Sequence, residues 1–98
     1  MCQILLSINP EHVENIFNGT KKYEYRKTNF KRNDIDKIII YSTTPIKKVV
    51  GEVEVLNILN DKKNNAIAFK LGNYTKYTHK KDLSELGIVQ APQSFIYL

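Results

Sequence analysis

The pattern of apolar and polar positions divides the chain into one early helix and five or six short strands. The run Ile-Leu-Leu-Ser-Ile at residues 4–8 is apolar and rich in strand formers, so it predicts the first strand. Apolar residues then recur at Val13, Ile16 and Phe17, the i, i+3, i+4 spacing of a buried helix stripe. We therefore predict a helix of about two to three turns after the first strand.

The ends of this helix are marked by residues with known terminal preferences. Asn9 is a favourable N-cap, and Pro10 has a φ angle suited to the first helical position. Gly19 ends the helix, because glycine takes the left-handed conformation without strain.

The remaining strands follow from apolar runs bounded by polar or glycine-containing turns. Residues 38–41 are apolar on both faces, which indicates a central strand. Gly51 interrupts a long alternating segment and predicts a bend or bulge. The predicted strands are residues 4–8, 21–27, 35–41, 47–59, 66–71 and 94–98.

Two segments near the C-terminus complete the prediction. Residues 72–81 show no clear periodicity and are predicted as a loop. Residues 82–87 predict one capped helical turn that ends at Gly87. Together the elements predict an α+β fold: a single domain over residues 1–98, built as a small mixed β-barrel with one early amphipathic helix and a short C-terminal helical turn.

The second strand carries an unusual density of charge. By the period of two, Lys22, Glu24 and Arg26 fall on one face. Tyr23 and Tyr25 fall on the other. We expect the tyrosine face to pack on the core and the charged face to form a site.

The positive charge is concentrated in the middle of the chain. The formal net charge is +5, yet between Thr20 and Lys48 nine basic residues stand against three acidic ones, a local +6. This balance is compatible with a polyanionic partner. The residues that we expect to form a nucleic-acid surface are Lys22, Lys27, Lys31, Arg32, Lys47 and Lys48.

Several function classes are disfavoured by what the sequence contains. No apolar run approaches the ~18 residues needed to span a membrane, and no signal peptide is recognisable, so we expect a cytoplasmic protein without a membrane partner. Cys2 has no second cysteine to pair with, and the two histidines are far apart. We expect neither a metal site nor a cofactor.

Three blocks of the sequence resemble one known family. The spacing Gly19-x-Lys21-x-x-Glu24-x-Arg26 matches the GxKxxExR signature of the ASCH (activating-signal-cointegrator homology) domain. The segment YSTTPIKKVVGE at 41–52 and the ending APQSFIYL at 91–98 resemble two further blocks of that family, in the same order. The chain thus resembles ASCH domains, a branch of the PUA-like superfamily of small β-barrels, over nearly its whole length.

The resemblance implies a cleft between the helix and the barrel that binds RNA or a nucleotide-like ligand. The residues it points to are Lys21, Glu24 and Arg26. Tyr41 and Ser42 are further candidates because they come at the end of the central strand, where a side chain can point into a barrel mouth; the alternative is a strand end with capped hydroxyl groups. The structural alternative is an ion pair that sets the register at the helix–strand corner.

Three function classes stay open, and we favour a binding module. Some small ASCH proteins are amidohydrolases that deacetylate N4-acetylcytidine, with a threonine nucleophile three residues after the signature lysine. Glu24 occupies that position here, which disfavours the reaction. If the chain is an enzyme, we expect an amidohydrolase or ribonuclease in which Lys21 and Glu24 act. The third class is a regulatory or phage-associated module that binds a small molecule or a protein, for example a transcriptional or translational regulator.

Overall fold

The structure, a computed structural model, describes residues 2–27, 30 and 32–98. Lys31, which we expect on the nucleic-acid surface, lies outside the described residues. In chain order the elements are β1 (Cys2–Ile8), α1 (Pro10–Phe17), β2 (Tyr23–Arg26), β3 (Ile35–Ser42), β4 (Lys48–Asp61), β5 (Ala66–Lys81), a 3-10 turn (Leu83–Leu86) and β6 (Phe95–Tyr97). Among these residues no helix is both long and apolar enough to cross a membrane.

All six strands join one sheet in the order β2-β5-β4-β3-β1-β6. The β1–β3 pair is parallel, and the other pairs are antiparallel. The sheet curls into a half-barrel, so β2 and β6 are its two edges. This arrangement confirms the predicted mixed α+β class.

Side chains bridge the open side of the half-barrel. Phe30, between β2 and β3, packs with its ring centroid 5.1 Å from Phe69 of β5 and 4.2 Å from Phe95 of β6. Arg26 at the β2 edge donates from Nη2 to the carbonyl oxygen of Ser7 in β1 over 2.9 Å. These contacts connect strands that share no backbone hydrogen bonds.

Each face of the sheet carries its own apolar cluster. On one face, Val13 and Ile16 of α1 cover residues such as Ile38 and Phe69. On the other, residues of and around the 3-10 turn cover Leu5, Ile39, Tyr41 and Val49. Because β3 contributes to both clusters, its prediction as a central strand is confirmed.

The helix signals are confirmed at both ends of α1. The Asn9 side chain accepts a hydrogen bond from the Glu11 amide over 3.1 Å, and Pro10 is the first helical residue. Gly19 follows with φ at +79°, the left-handed conformation that glycine favours.

Gly51 lies where the register of β4 shifts against both of its neighbours, which confirms the predicted irregularity. Its role is close packing. A Cβ atom at this position would lie 2.5 Å from Cζ of Phe17 and would also press on the carbonyl oxygen of Thr75. The missing side chain lets the end of α1 rest on the sheet.

The predicted loop at residues 72–81 is wrong, because β5 continues to Lys81. The register between β4 and β5 shifts at three places, between Val49 and Gly51 and on both sides of Val55. Each bulge moves the following side chains out of step, so the strand has no period-two signature. Smaller differences are that β2 begins at Tyr23 and β4 runs to Asp61.

Candidate functional site

The end of α1 positions the first part of the signature. The backbone amides of Thr20 and Lys21 both donate to the carbonyl oxygen of Asn15, over 3.1 and 3.0 Å. The carbonyl oxygen of Lys22 then accepts from the Leu71 amide over 2.9 Å, where β2 joins the sheet beside β5. Lys21 is therefore fixed at the corner between the helix and the strand.

The charged face of β2 points into the half-barrel. Glu24 stands opposite Phe69 in the β2–β5 ladder, and directly opposed residues share a face, so its carboxylate lies on the core side. Glu24 is 6% exposed, whereas Tyr25 is 66% exposed. The expectation that the tyrosine face packs on the core is wrong, since Glu24 and Arg26 pair with each other inside while the Tyr23 and Tyr25 rings contact each other outside.

Glu24 binds two cations of the signature. Its Oε2 accepts from Nε of Arg26 over 2.9 Å, and its Oε1 lies 3.4 Å from Nζ of Lys21. Arg26 uses a further N–H group on the Ser7 carbonyl. Both carboxylate oxygens are therefore engaged, and the group of two cations and one anion has a net charge of +1.

A cavity of about 380 Å³ opens beside Lys21, between the end of α1 and strands β4 and β5. Lys21 is the one charged residue of the signature among the residues that line this cavity, whereas Glu24 and Arg26 are not among them. The cavity is bordered by Gly19, Lys21 and Lys22 on one side and by Gly72, Asn73 and Tyr74 on the other.

Tyr41 and Ser42 are not brought to this group. Tyr41 belongs to the apolar cluster on the opposite face of the sheet, together with Leu5 and Val49. Ser42 is 2% exposed and pairs with Ile8 of β1 and Lys48 of β4.

Comparison with known proteins identifies the family of this chain. The family model of the ASCH domain matches residues 6–92. The chain belongs to the ASCH family. The predicted family is thus confirmed over most of the chain.

Solved ASCH structures share the fold of this ASCH domain. The crystal structure of ASCH from Zymomonas mobilis superposes with a TM-score of 0.77 at 22% identity, covering 98% of this chain and 87% of that chain. Crystal structures of two mutant proteins of ZmASCH give the same TM-score at 21% identity, over 98% of this chain and 87% and 89% of theirs. This likeness concerns the fold.

One curated protein matches part of the ASCH domain in sequence. It is the ATP synthase subunit alpha of Ureaplasma parvum serovar 3, 34% identical over 55 residues. The match covers 56% of this chain and 7% of that protein's length.

The predicted basic surface of the ASCH domain is divided between regions. Arg32 forms an ion pair with Asp34 just before the start of β3. Lys47 and Lys48 lie beyond the other end of β3, and a strand of eight residues is about 23 Å long. Lys48 pairs with Asp82. Lys22 borders the cavity beside Lys21, and Lys27 borders a separate cavity next to Phe30.

Asn73 and Tyr74 line the cavity, although the sequence pattern predicts a loop at these positions and did not mark them as site residues. A signal was present: between Tyr74 and Lys81 aromatic and basic residues are interspersed, and no acidic residue occurs in β5. This composition is typical of strands that contact nucleic acid.

A second polar cluster of the ASCH domain lies on the other face of the sheet. Glu52 accepts a hydrogen bond from the Tyr77 hydroxyl over 2.9 Å and lies 2.9 Å from Nζ of Lys37. The hydrogen bond with Lys37 lowers the pKa of Glu52 and raises the pKa of Lys37. Burial, followed by the bond to Glu52, raises the pKa of Tyr77 to about 12. These groups stabilise one another across β3, β4 and β5.

Proposed function

We propose that this ASCH domain, a PUA-like half-barrel, binds RNA or a nucleotide-like ligand through the cavity beside Lys21. The observation that carries the proposal is that Lys21, which belongs to a charged group with a net charge of +1, lines a cavity of ligand size. Such a cavity favours a ligand that combines an anionic group with a compact ring system. The net charge of +5 on the whole chain supports the approach of a polyanion.

The three signature residues have different roles in this proposal. Lys21 contacts a ligand phosphate, because its side chain borders the cavity. Glu24 orients Lys21 and Arg26 from its buried position. Arg26 anchors the group to β1 through the Ser7 carbonyl, so its role is positioning rather than direct contact.

Fluorescence anisotropy with a short single-stranded RNA at low and high salt tests the proposal. We expect affinity to fall as salt rises, because phosphate contacts release counterions. Lys21→Gln is expected to bind roughly tenfold to a hundredfold more weakly, since a charged hydrogen bond contributes about 1.5–3 kcal/mol. Lys63→Gln, at an exposed position in the β4–β5 turn, is the matched control.

Thermal melting of each variant separates lost binding from lost folding. No binding by the parent protein at low salt would contradict the proposal. Equal affinities for the Lys21→Gln and Lys63→Gln variants would contradict it too.

In the hydrolase alternative, Glu24 would act as a general base. A carboxylate that acts as a general base must reach the reacting proton, whereas Glu24 is only 6% exposed and binds Arg26 and Lys21 instead. We therefore assign Glu24 no catalytic role. Release of cytidine from N4-acetylcytidine, or cleavage of the RNA probe during the titration, would overturn this assignment.

A further inference from the structure

Tyr74 presents an aromatic ring at the wall of the cavity beside Lys21. It lies in β5 opposite Val53 of β4, so the sheet fixes its backbone. Its ring centroid is 5.7 Å from that of Phe17, and the residue is 43% exposed. Part of the ring is thus supported by α1 while the remainder faces solvent and the cavity.

The support behind Tyr74 is itself tightly packed. Phe17 occupies the space over Gly51, where a Cβ atom would lie 2.5 Å from its Cζ. The end of α1 therefore holds Phe17, and Phe17 limits the positions of the Tyr74 ring. A ring that is already oriented loses little conformational freedom when a flat ligand group stacks on it.

Positive charge continues along β5 beyond Tyr74. Lys76 is two residues further on, about 7 Å along the strand. It stands opposite Gly51, the glycine that faces Phe17, so it shares the face that carries Tyr74. Among residues 2–27, 30 and 32–98, neither Lys76 nor Lys22 forms an ion pair. Both lysines are available to an anion.

We propose that Tyr74 stacks against one unpaired base of a single-stranded RNA, whose backbone phosphates contact Lys22 on one side of the base and Lys76 on the other. This inference rests on the proposed function, and it narrows the ligand to an unpaired polynucleotide. Stacking on an aromatic ring combined with lysine contacts to phosphate is sequence-tolerant, because every base has a π-face. We therefore expect binding that depends on strandedness more than on sequence.

Anisotropy titrations of tyrosine variants with a short single-stranded RNA test the stacking role. Tyr74→Ala is expected to bind about tenfold more weakly, because the stacking surface is lost. Tyr74→Phe keeps the ring and is expected to retain the parent affinity. Tyr25→Ala is the matched control, since Tyr25 is a 66% exposed tyrosine on the opposite face of the sheet.

A second arm tests the phosphate contact and the strandedness. Lys76→Ala is expected to weaken binding and to reduce the slope of log affinity against log salt concentration by the amount for about one phosphate contact. Lys63→Ala, in the exposed turn, is expected to leave the affinity and the slope unchanged. Duplex RNA of the same sequence is expected to bind more weakly than the single strand, since its bases are already stacked.

The outcomes distinguish this inference from the function on which it rests. If the parent protein binds and Lys21→Gln weakens binding while Tyr74→Ala does not, the stacking role is overturned and the proposed function stands. Equal affinity for duplex and single strand also overturns the stacking role. If the parent protein binds no RNA, both proposals fall.

Discussion

At the scale of the single residue, Glu24 is buried, and its sequence position alone does not predict this. A buried carboxylate is costly unless it is paired and hydrogen-bonded. Glu24 meets this condition through Arg26 and Lys21, and Lys21 also lines the cavity. The structural and functional interpretations of the signature are therefore compatible: one buried anion fixes the cation that we expect to meet the ligand.

Tyr77 gives a prediction for high pH. Burial and the hydrogen bond to Glu52 raise its pKa from 10.0 to about 12. Because the folded-state pKa exceeds the unfolded value, the stabilisation is fully present below pH 10 and is lost as the pH rises toward 12. Ultraviolet titration of the folded protein should show a tyrosine that ionises late.

Two variants check this assignment. Tyr77→Phe should remove the late step from the titration. Glu52→Gln should lower the pKa of Tyr77 only part of the way, because the charge is lost while the burial remains. Ionisation of all six tyrosines in one step near pH 10 would contradict the prediction.

At the scale of the element, the contact between α1 and the sheet depends on Gly51. Gly51→Ala is expected to reduce the free energy of unfolding by about 1–3 kcal/mol, the usual cost of overpacking. Thr75 contributes a backbone oxygen to the clash, so it yields less readily than a side chain. Urea unfolding measures the effect.

Gly72→Ala is the matched control for this element. The added Cβ would meet the side chain of Leu56, which is 58% exposed and free to move aside. We expect a clearly smaller loss of stability than for Gly51→Ala. Equal losses would show that packing of α1 is not the reason for glycine at position 51.

The elements also differ in how far local signals describe them. The ends of α1 are predictable because Asn9, Pro10 and Gly19 act on the backbone next to them. The outer half of β5 is not, because its extended form comes from pairing with β4 and its bulges destroy the alternation. The local sequence of a strand that forms by pairing with its neighbour therefore predicts that strand poorly.

At the scale of the whole molecule, the half-barrel depends on side-chain contacts across its open side. Arg26 links β2 to β1, and Phe30 links β5 to β6. Both residues fall in or shortly after the edge strand β2. The signature therefore also contributes to closing the fold.

Arg26→Met tests this closure. The change leaves the Glu24 carboxylate with one cation and frees the Ser7 carbonyl, so we expect a loss of about 2–3 kcal/mol in the free energy of unfolding. Lys27→Met, at the exposed neighbouring position, is the control and should leave the urea midpoint nearly unchanged.

Arg26→Lys separates the effect of the positive charge at this position from the effect of the two hydrogen bonds that the guanidinium group makes. It keeps a cation beside Glu24 but cannot bond to Glu24 and Ser7 with the same fork of donors, so an intermediate loss is expected. If Arg26→Met unfolds at the midpoint of the Lys27→Met control, the bond to Ser7 does not contribute to closure.

The sequence by itself determined the family, the helix and the central strand of this protein. The signature from Gly19 to Arg26 and the helix caps are local patterns, and β3 is apolar on both faces wherever its partners lie. Each of these signals acts within a few residues along the chain.

Only the tertiary structure decided which face of β2 is buried, how far β5 extends and which residues border the cavity. Period-two alternation separates two faces but does not say which of them meets the core, and Glu24 lies inside because Lys21 and Arg26 neutralise it there. Tyr74 reaches the cavity because β5 pairs with β4 beneath α1. These outcomes depend on contacts between residues that are distant in sequence, and a local sequence pattern does not report the energies of such contacts.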